Sequence, residues 1–494
     1  MRKRCVSLLL SLFLLCSPGT LAAADDEGPP DGDAVYETTE GPTEAEAGDD
    51  PEALPEEEPA EESEDPPAEE PGGPTEPDEP LPDIFPDVTE GNWFYPYIAA
   101  LVSQGVIDGF PDGLFRPQDG LSTGQALKLI LLAAGYVEQE PEEEDAHWAQ
   151  GYLDYAVKKG FVGQDAVTDL NAPISRYEIA AIAANALSLA PSGQAAGAFA
   201  DTADSHVLAL HEAGIVEGSF DGGGARRYYG DDGVTRGEIS AVIHRMAGYV
   251  AENLILYAGY RIPVDHNLTR HGHDTSLLAW EDGRISYEGD IDTLTGIDVS
   301  YYQKDIDWQA VAADGIDFAF IRVGYRGYGA GSLNEDECFR ANLAGAIAAG
   351  ISVGVYFFSQ AITPEEAREE ARYTLSLIQD YDITWPVVFD WESIKNVGAR
   401  TDGLDNKILT DCALAFCETV AAAGYTPMVY FNKSFGYLRY DLHAVQQYDV
   451  WHAHHTESPD YLYDYQIWQY TSSGSVRGID GRVDMNIAFK NFGR

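Results

Sequence analysis

The chain has few positively charged residues for its length. Its 494 residues include 30 Lys and Arg against 83 Asp and Glu, which gives a formal net charge of -53 at pH 7. Proteins that bind nucleic acid need a positive surface that neutralises phosphates. The composition therefore excludes a nucleic-acid-binding protein and directs attention to the acidic residues.

Cysteine is also scarce, with five residues in the chain. Cys5 and Cys16 lie in the apolar N-terminal stretch, which leaves Cys338, Cys412 and Cys417 for the remainder. Cys412 and Cys417 stand five positions apart on a predicted helix, so they point to different faces. This odd set does not support a disulfide framework. We expect buried free thiols in an exported bacterial protein.

The apolar run near the N-terminus is too short for a good membrane span. Residues 1–24 combine Arg2-Lys3-Arg4, the apolar core VSLLLSLFLLC and the small residues Ala22-Ala23-Ala24, which is the pattern of a secretory signal peptide. Leu15 before Cys16 is too bulky for the usual lipoprotein cleavage pattern and disfavours lipid attachment there. We predict export, with no transmembrane segment left after signal cleavage.

Residues 25–82 carry about two dozen Asp and Glu, many Pro, and no Lys or Arg. They hold too few large apolar residues to offset the entropy lost on ordering, so we predict a disordered, extended spacer. From residue 83 the composition becomes globular. We divide the remainder into 83–250, a connecting segment at 251–294, and 295–494. The connecting segment has no function that the sequence indicates, but an Asp-Gly pair predicts a hairpin within it.

Residues 83–250 contain three similar units, at 85–136, 147–187 and 199–249, and internal repeats decide how a chain is divided. Each unit predicts a helix that ends at a glycine, a turn, and a second helix. The glycines are Gly105, Gly160 and Gly214. The second helix begins with Ser or Thr followed three positions later by Gln or Glu, which is a capping box. The pairs are Ser122/Gln125, Ser175/Glu178 and Thr235/Glu238.

The opening FPDV, the turn GFPDGLFRP and the helix start VTRGE together make these units resemble S-layer homology (SLH) domains. The resemblance implies an all-α bundle of three repeats that binds secondary polymers of Gram-positive cell walls. It implies that an arginine at the start of the second helix contacts the anionic sugar of the polymer, here Arg176 and Arg236. The forked guanidinium group of arginine suits the recognition of a carboxylate. The first of the three repeats has Thr123 at this position, and the second repeat has lost most of the turn. Structural ion pairs of the two arginines with nearby acids are the alternative.

Residues 295–494 alternate predicted strands with predicted helices. Eight strands are predicted, at 296–300, 318–323, 352–358, 386–391, 427–432, 448–453, 465–470 and 481–486. Amphipathic helices separate the earlier strands. This order predicts an α/β fold, a TIM-like (β/α) barrel with few helices late in the chain.

The segment PVVFDWE at 386–392 places two acids at the end of a predicted buried strand. Side-chain alternation puts Asp390 and Glu392 on one face, about 6.6 Å apart along the strand. Two crowded carboxylates resist joint ionisation, so one pKa rises, and a protonated acid beside an ionised partner suits glycoside cleavage. Barrel enzymes react at the C-terminal strand ends, where Asp298 and Asp484 are expected to join the pair. Two solvated surface acids are the alternative.

Five motifs in order resemble glycoside hydrolase family 25, the Chalaropsis-type lysozymes. They are GIDVSYYQKDIDWQAV, DFAFIRVGYRGYG, VGVYFF, VVFDWE and QIWQYTSSGSVRGIDGRVDMN. The resemblance implies hydrolysis of the β-1,4 bond between N-acetylmuramic acid and N-acetylglucosamine in peptidoglycan, without metal or cofactor. It makes Glu392 the general acid/base, with Asp390 orienting the substrate acetamido group or stabilising positive charge. Asp298 and Asp484 complete the acidic cluster.

Aromatic residues near the predicted strand ends are candidates for stacking on sugars, and two amides for bonding sugar hydroxyls. The candidates are Tyr325, Tyr356, Phe358, Trp451, Tyr470, Asn432 and Gln469. A place in the barrel core explains an aromatic residue equally well.

Two groups of histidines stand out, at 271/273 and at 452/454/455. A zinc site needs converging ligands in a fixed geometry. We interpret the first group as surface residues and the second as residues of the barrel rim, and we predict no metal site.

The preferred hypothesis is a secreted muramidase held on a Gram-positive-type cell wall by its repeats. The alternative is a non-catalytic wall-binding surface protein with a degenerate barrel, which the retention of all four acids disfavours. A chitinase-like barrel requires aspartates where Trp385 and Val388 stand, so we reject it. The nucleophile and the stereochemical route stay open, because spacing along a strand is too coarse to choose between them.

Overall fold

The structure is a computed structural model that describes residues 84–143, 146–281, 283–394 and 398–493. The predicted signal peptide and acidic spacer lie outside the described residues. The described chain forms two compact units, which divide between Ala247 and Gly248.

The first unit is mainly helical. Its helices are α1 (Tyr95–Ser103), α2 (Thr123–Ala133), α3 (Gln150–Lys158), α4 (Arg176–Leu187), α5 (Ser205–Glu212) and α6 (Arg236–Asn253). A two-stranded hairpin of β1 (Ser219–Phe220) and β2 (Arg226–Arg227) departs from the all-α prediction. The hairpin forms because Asp221 Oδ1 accepts the backbone N–H groups of Gly223 and Ala225 and so closes the turn.

Side-chain caps begin the second helix of each pair at the predicted residues. Oxygens of Ser122, Ser175 and Thr235 accept the backbone N–H three residues later, at 3.4, 3.3 and 3.2 Å. The glycines that end the first helices adopt the left-handed backbone that glycine tolerates, with φ values of 66, 76 and 73°. The predicted caps and glycine ends are therefore confirmed.

Short β-bridges connect the three helix pairs in a cycle. They join Ser122 to Pro173, Ser175 to Gly233, and Thr235 to Gly120. The start of each second helix thus bonds to the turn of another pair. This cyclic pairing places the three helix starts around one centre.

The second unit begins with two antiparallel hairpins. The first joins β3 (Leu254–Tyr257) to β4 (Tyr260–Pro263), and the second joins β5 (Leu278–Glu281) to β6 (Arg284–Tyr287). The second hairpin turns at Gly283, whose φ is 76°, at the position of the Asp-Gly pair.

The rest of the second unit is built on a nine-stranded sheet. Its strands are β7 (Leu294–Val299), β8 (Phe318–Arg326), β9 (Leu333–Glu335), β10 (Ser352–Ser359), β11 (Val387–Trp391), β12 (Pro427–Asn432), β13 (Asp449–Ala453), β14 (Ile467–Gly474) and β15 (Val483–Ala488). Eight of them close into a barrel because β8 pairs with both β7 and β10, whereas β9 pairs only with β8. The predicted eight-stranded barrel is confirmed.

The last strand differs from a TIM-like barrel. β15 runs antiparallel to both β14 and β7, while β7, β8 and β10 to β14 are parallel. The connection from β14 to β15 covers only residues 475–482, which is too short for the crossover that a parallel strand needs. The end of the barrel where the parallel strands finish is called the mouth below.

Helices cover the outside of the early strands. They are α7 (Trp308–Ala313), α8 (Phe339–Ala349), α9 (Pro364–Ile378), α10 (Asn406–Ala422), α11 (Lys433–Leu438) and α12 (Leu442–Val445). Cys412 and Cys417 on α10 are buried free thiols, as predicted, whereas the free thiol of Cys338 is only half-buried. Residues 454–466, all described, connect β13 to β14 without a helix.

The segment at 254–293 packs against the part of the barrel that follows the last helix. The Trp280 ring lies edge-on to Tyr470 with centroids 5.5 Å apart. His273 stacks on Phe489 at 3.9 Å and its Nε2 lies 2.6 Å from the Tyr465 hydroxyl. Ile285 is buried in the same apolar core. The segment therefore takes the place of the missing late helices.

Buried apolar side chains fill the barrel interior below the mouth. They are Phe318, Phe320, Tyr356, Trp385, Val388, Met428, Trp451, Ile467 and Ala488. Phe318 stacks on Trp385 at 4.2 Å, and Phe320 stacks on Trp451 at 4.6 Å. Because side chains on a strand alternate, the next residues on these faces point into the barrel above this layer.

Candidate active site

Four acidic side chains meet at the mouth. Asp298, near the end of β7, is the direct register partner of Asp484 on β15. Asp390 lies near the end of β11, and Glu392 follows that strand. Burial raises the pKa values of both Asp390 and Asp484, and the charges of Asp298 and Glu392 raise them further. The structure thus brings all four sequence-predicted acids together.

Asp484 reaches the mouth by a different route from the one predicted. The prediction placed it at the C-terminal end of a strand, whereas it is the second residue of β15. Since β15 is antiparallel to β7, its first residues lie beside the last residues of β7.

Two amides hold Asp298. Gln469 Nε2 and Asn486 Nδ2 each donate to Asp298 Oδ2 at 2.9 Å. Asn486 Oδ1 accepts from Trp451 Nε1 at 2.8 Å, and Gln469 Oε1 accepts from the Tyr430 hydroxyl at 3.0 Å. Burial raises the pKa of Asp298 to about 6, although both amide bonds oppose the rise.

Asp390 lies deeper than Glu392. Its side chain is 4% exposed, so two solvated surface acids no longer describe the strand end. Burial, followed by the charges of Glu392 and Asp298, raises its pKa well above the ordinary value, while Arg322 lowers it. Among the described residues its Oδ1 has no hydrogen-bond partner. A proton on this carboxyl reduces the cost of burying it.

The raised pKa values link stability to pH. The folded pKa of Asp298, Asp390 and Asp484 exceeds that of the unfolded chain. The folded state therefore binds these protons more tightly. Their contribution to stability is fully present below about pH 4 and is lost as the pH rises through their folded pKa values. The cluster thus reduces the free energy of unfolding at neutral pH.

Arg322 is a cation of the barrel interior that sequence analysis missed. Its Nε donates to Asp336 Oδ2 at 2.8 Å, and both side chains are buried. Its guanidinium lies 5.0 Å from the Tyr301 ring and 5.7 Å from both the Tyr302 and Tyr325 rings. The sequence signal that could have found it is an arginine on the same strand face as Phe318 and Phe320. Asn486, two residues after Asp484, could be found in the same way.

The predicted sugar-stacking residues divide into two groups. Tyr325 lies near the mouth and is half-buried. Phe358 lies on the strand between those of Tyr325 and Asp390 and is the register partner of both. Tyr356 and Trp451 belong to the interior layer below the acids. Tyr470 packs on the outer face against Trp280, opposite to Gln469, so the structure places this stacking candidate in the core and not beside the acids.

The two amides that were predicted to bind sugar hydroxyls form hydrogen bonds within the protein. Asn432 Oδ1 accepts the backbone N–H of Phe435 at 3.0 Å and caps α11, and Gln469 holds Asp298.

Tyr301 and Tyr302, which sequence analysis missed, form a tilted pair with centroids 4.1 Å apart after β7. Tyr302 is 40% exposed, so this pair presents an aromatic surface beside the acids.

Two of the five histidines lie deeper than predicted. His452 is fully buried and stacks on Tyr461 at 4.4 Å, and His273 is also buried. These two are core residues because aromatic rings enclose them. His455 Nε2 lies 3.2 Å from Gln469 Oε1. Within the described ranges, no three His, Cys, Asp or Glu side chains are grouped to bind a metal ion.

In the part of the chain that the structure describes, no helix combines the length and the apolarity that are needed to cross a membrane.

The two arginines of the first unit have different surroundings. Arg236 lies between the Phe110 and Phe115 rings, at 4.7 and 4.6 Å, and its Nε donates to the Phe115 carbonyl at 2.9 Å. It lines a cavity of about 270 Å³ together with Lys128 and Trp148. The Arg176 guanidinium instead pairs with Glu238 Oε1 at 3.2 Å, as the structural alternative expected.

Two family models match the chain. One, described as glycosyl hydrolases family 25, matches residues 297–479. The other, described as S-layer homology domain, matches residues 84–127.

Three known proteins are similar to parts of the chain. Lysozyme M1 of Streptomyces globisporus is 28% identical over 226 residues, which are 43% of this chain and 74% of that protein. The surface-layer 125 kDa protein of Lysinibacillus sphaericus is 37% identical over 110 residues, which are 20% of this chain and 9% of that protein. The solved structure of the modular autolysin LytC from Streptococcus pneumoniae, in complex with a synthetic peptidoglycan ligand, shares 24% identity at a TM-score of 0.38. That match covers 48% of this chain and 57% of the solved one.

Proposed function

We propose that this chain, which contains a family 25 glycosyl hydrolase domain and an S-layer homology domain, is a wall-attached muramidase. Its substrate is peptidoglycan, and the bond that it hydrolyses is the β-1,4 bond between N-acetylmuramic acid and N-acetylglucosamine. The observation that supports this most is the meeting of four acids from three strands at one barrel mouth. The similarity to a lysozyme supports the same reaction class.

In this proposal the four acids have different roles, which follow from how deeply each is buried. Glu392 is half-buried at the mouth, where it donates a proton to the departing glycosidic oxygen and then takes one from water. Asp390, which is nearly enclosed, orients the acetamido group of the sugar or stabilises positive charge at its reacting carbon. Asp298 adds negative charge beside that carbon, and the amides of Gln469 and Asn486 fix its direction. Asp484 completes the acidic cluster.

The muramidase proposal is tested by the bond that is cut. Purified peptidoglycan is incubated with the full chain, and the soluble fragments are reduced and analysed by mass spectrometry. We expect fragments that end in reduced N-acetylmuramic acid. Fragments that end in reduced N-acetylglucosamine would reassign the bond, and the absence of new reducing ends would favour the non-catalytic wall-binding alternative.

The first unit is proposed to hold the enzyme on a Gram-positive-type wall. A domain of the S-layer homology type and the match to a surface-layer protein support a position at the cell surface. We assign the anionic wall polymer to the cavity beside Arg236, where Trp148 adds an exposed ring. Lys128 also lines this cavity, but its ammonium group is paired with Glu138 at 3.2 Å. Arg176 is the weaker candidate, because Glu238 already neutralises its guanidinium.

This assignment predicts unequal effects of two matched variants. Arg236→Gln is expected to weaken binding to purified walls by about 10- to 100-fold, the range of a lost charge-assisted hydrogen bond. Arg176→Gln, the control, is expected to weaken it less than about threefold, in the range of an exposed ion pair. Sedimentation with walls measures both, and walls stripped of secondary polymer should retain neither protein. Equal losses in the two variants, or unchanged binding to stripped walls, would contradict the assignment.

A further inference from the structure

Glu392 is the first residue beyond the strand ladders around it. The pairing of β10 with β11 ends at Ser359 and Trp391, and the pairing of β11 with β12 ends at Asp390 and Tyr430. The sheet therefore does not fix the main chain at Glu392. A residue whose side chain must transfer a proton at this point needs another support.

The side-chain amide of Gln360 supplies that support. Its Nε2 donates to the Glu392 carbonyl at 2.8 Å and to the Ser359 carbonyl at 2.9 Å. Its Oε1 accepts from the Thr401 hydroxyl at 3.0 Å. Gln360 is fully buried and Thr401 nearly so. Because every polar atom of this amide is bonded, rotation leaves buried groups unpaired, at a cost of about 1–3 kcal/mol each.

The residues on either side of Gln360 are themselves fixed. Ser359 Oγ donates to Glu370 Oε2 at 2.6 Å, and Arg326 Nε donates to Glu370 Oε1 at 2.6 Å, all within the buried part of the barrel. Trp391 Nε1 donates to the Ala361 carbonyl at 3.0 Å. The end of β10 and the end of β11 are thus joined through side chains where their backbone ladder stops.

We propose that Gln360 is a positioning residue, which holds the main chain of Glu392 so that its carboxyl meets the glycosidic oxygen. The inference rests on the proposed muramidase function. Gln360 bonds to the main-chain carbonyl of Glu392, so it acts through geometry. A displacement of the acid by about 1 Å is expected to reduce the rate by about 100-fold. Substrate binding changes little, because the rest of the mouth remains in place.

The test compares kcat and KM in variants of the full chain. Gln360→Met has a similar length but cannot donate, and we expect kcat to fall about 10- to 100-fold with KM within about twofold. The matched control is Thr410→Val on α10, a buried threonine that bonds to the Asn406 carbonyl and to the backbone N–H of Asp441. It loses a comparable number of hydrogen bonds and is expected to lower Tm without lowering kcat. All rates are measured well below the lowest Tm.

A second pair of variants decides the question where Gln360→Met does not fold. Thr401→Val removes the donor to Gln360 Oε1, and Thr401→Ser retains it. We expect a several-fold fall in kcat in the valine variant only. Unchanged kcat in Gln360→Met, or in Thr401→Val where the first does not fold, overturns the inference and leaves the muramidase proposal intact. An inactive wild type overturns both.

Discussion

Glu392→Gln is expected to reduce kcat for peptidoglycan by about 10²- to 10⁴-fold, the contribution typical of a positioned general acid. Glutamine has almost the same shape, but it can neither give a proton to the leaving oxygen nor take one from water. The folded state should be retained or slightly stabilised, because the substitution removes one of the charges that raise the pKa values of Asp390 and Asp484. Release of reducing sugar, measured beside Tm, checks both expectations.

The control for this experiment is Glu337→Gln, which removes an exposed carboxylate of the same unit. It changes the net charge equally and should leave kcat within about twofold, as expected of a surface substitution. Wild-type activity in Glu392→Gln would remove the acid from the mechanism and direct attention to Asp390 and Asp484.

A chain that begins at residue 295 is expected to lose most of the stability of the second unit. The family 25 match begins at residue 297, yet residues 254–293 cover the outer face of the barrel where no helix follows β13. Their removal deletes Leu268 and Ile285 from the core and exposes the rings of Tyr465 and Tyr470. Each large apolar side chain contributes about 1.5–3 kcal/mol, and the sum approaches the whole stability of a typical domain.

Thermal unfolding by circular dichroism checks this expectation. The comparison is with a chain that begins at residue 248, the first residue of the second unit. We expect cooperative unfolding in the longer chain and aggregation, or a transition at least 15 °C lower, in the shorter one. Transitions within about 3 °C of one another would show that the barrel does not need the segment.

Local sequence patterns predicted most of the secondary structure. The predicted strand at 352–358 is observed as Ser352–Ser359, and the strand at 427–432 as Pro427–Asn432. The capping boxes at Ser122, Ser175 and Thr235 begin helices as predicted. These features depend on residues within a few positions of each other, so their physics is contained in short stretches of sequence.

Contacts between segments that are distant in the chain could not be predicted from the sequence. The covering role of residues 254–293 depends on which strands lack a helix. The Arg176–Glu238 pair and the bond from Gln360 to the Glu392 carbonyl each join residues from different elements. Sequence spacing contains no information about these distances, because they arise only when the elements pack.

The sequence by itself determined the acidic character of the chain, the caps and turns of the first unit, the eight strands and the four acids. Short-range alternation and hydrogen bonding are sufficient for these. Only the tertiary structure decided that β15 is antiparallel, that Asp484 therefore stands opposite Asp298, and that two amides and a buried arginine surround the acids. The physical reason is that barrel closure, and not chain order, decides which charges share one enclosed space.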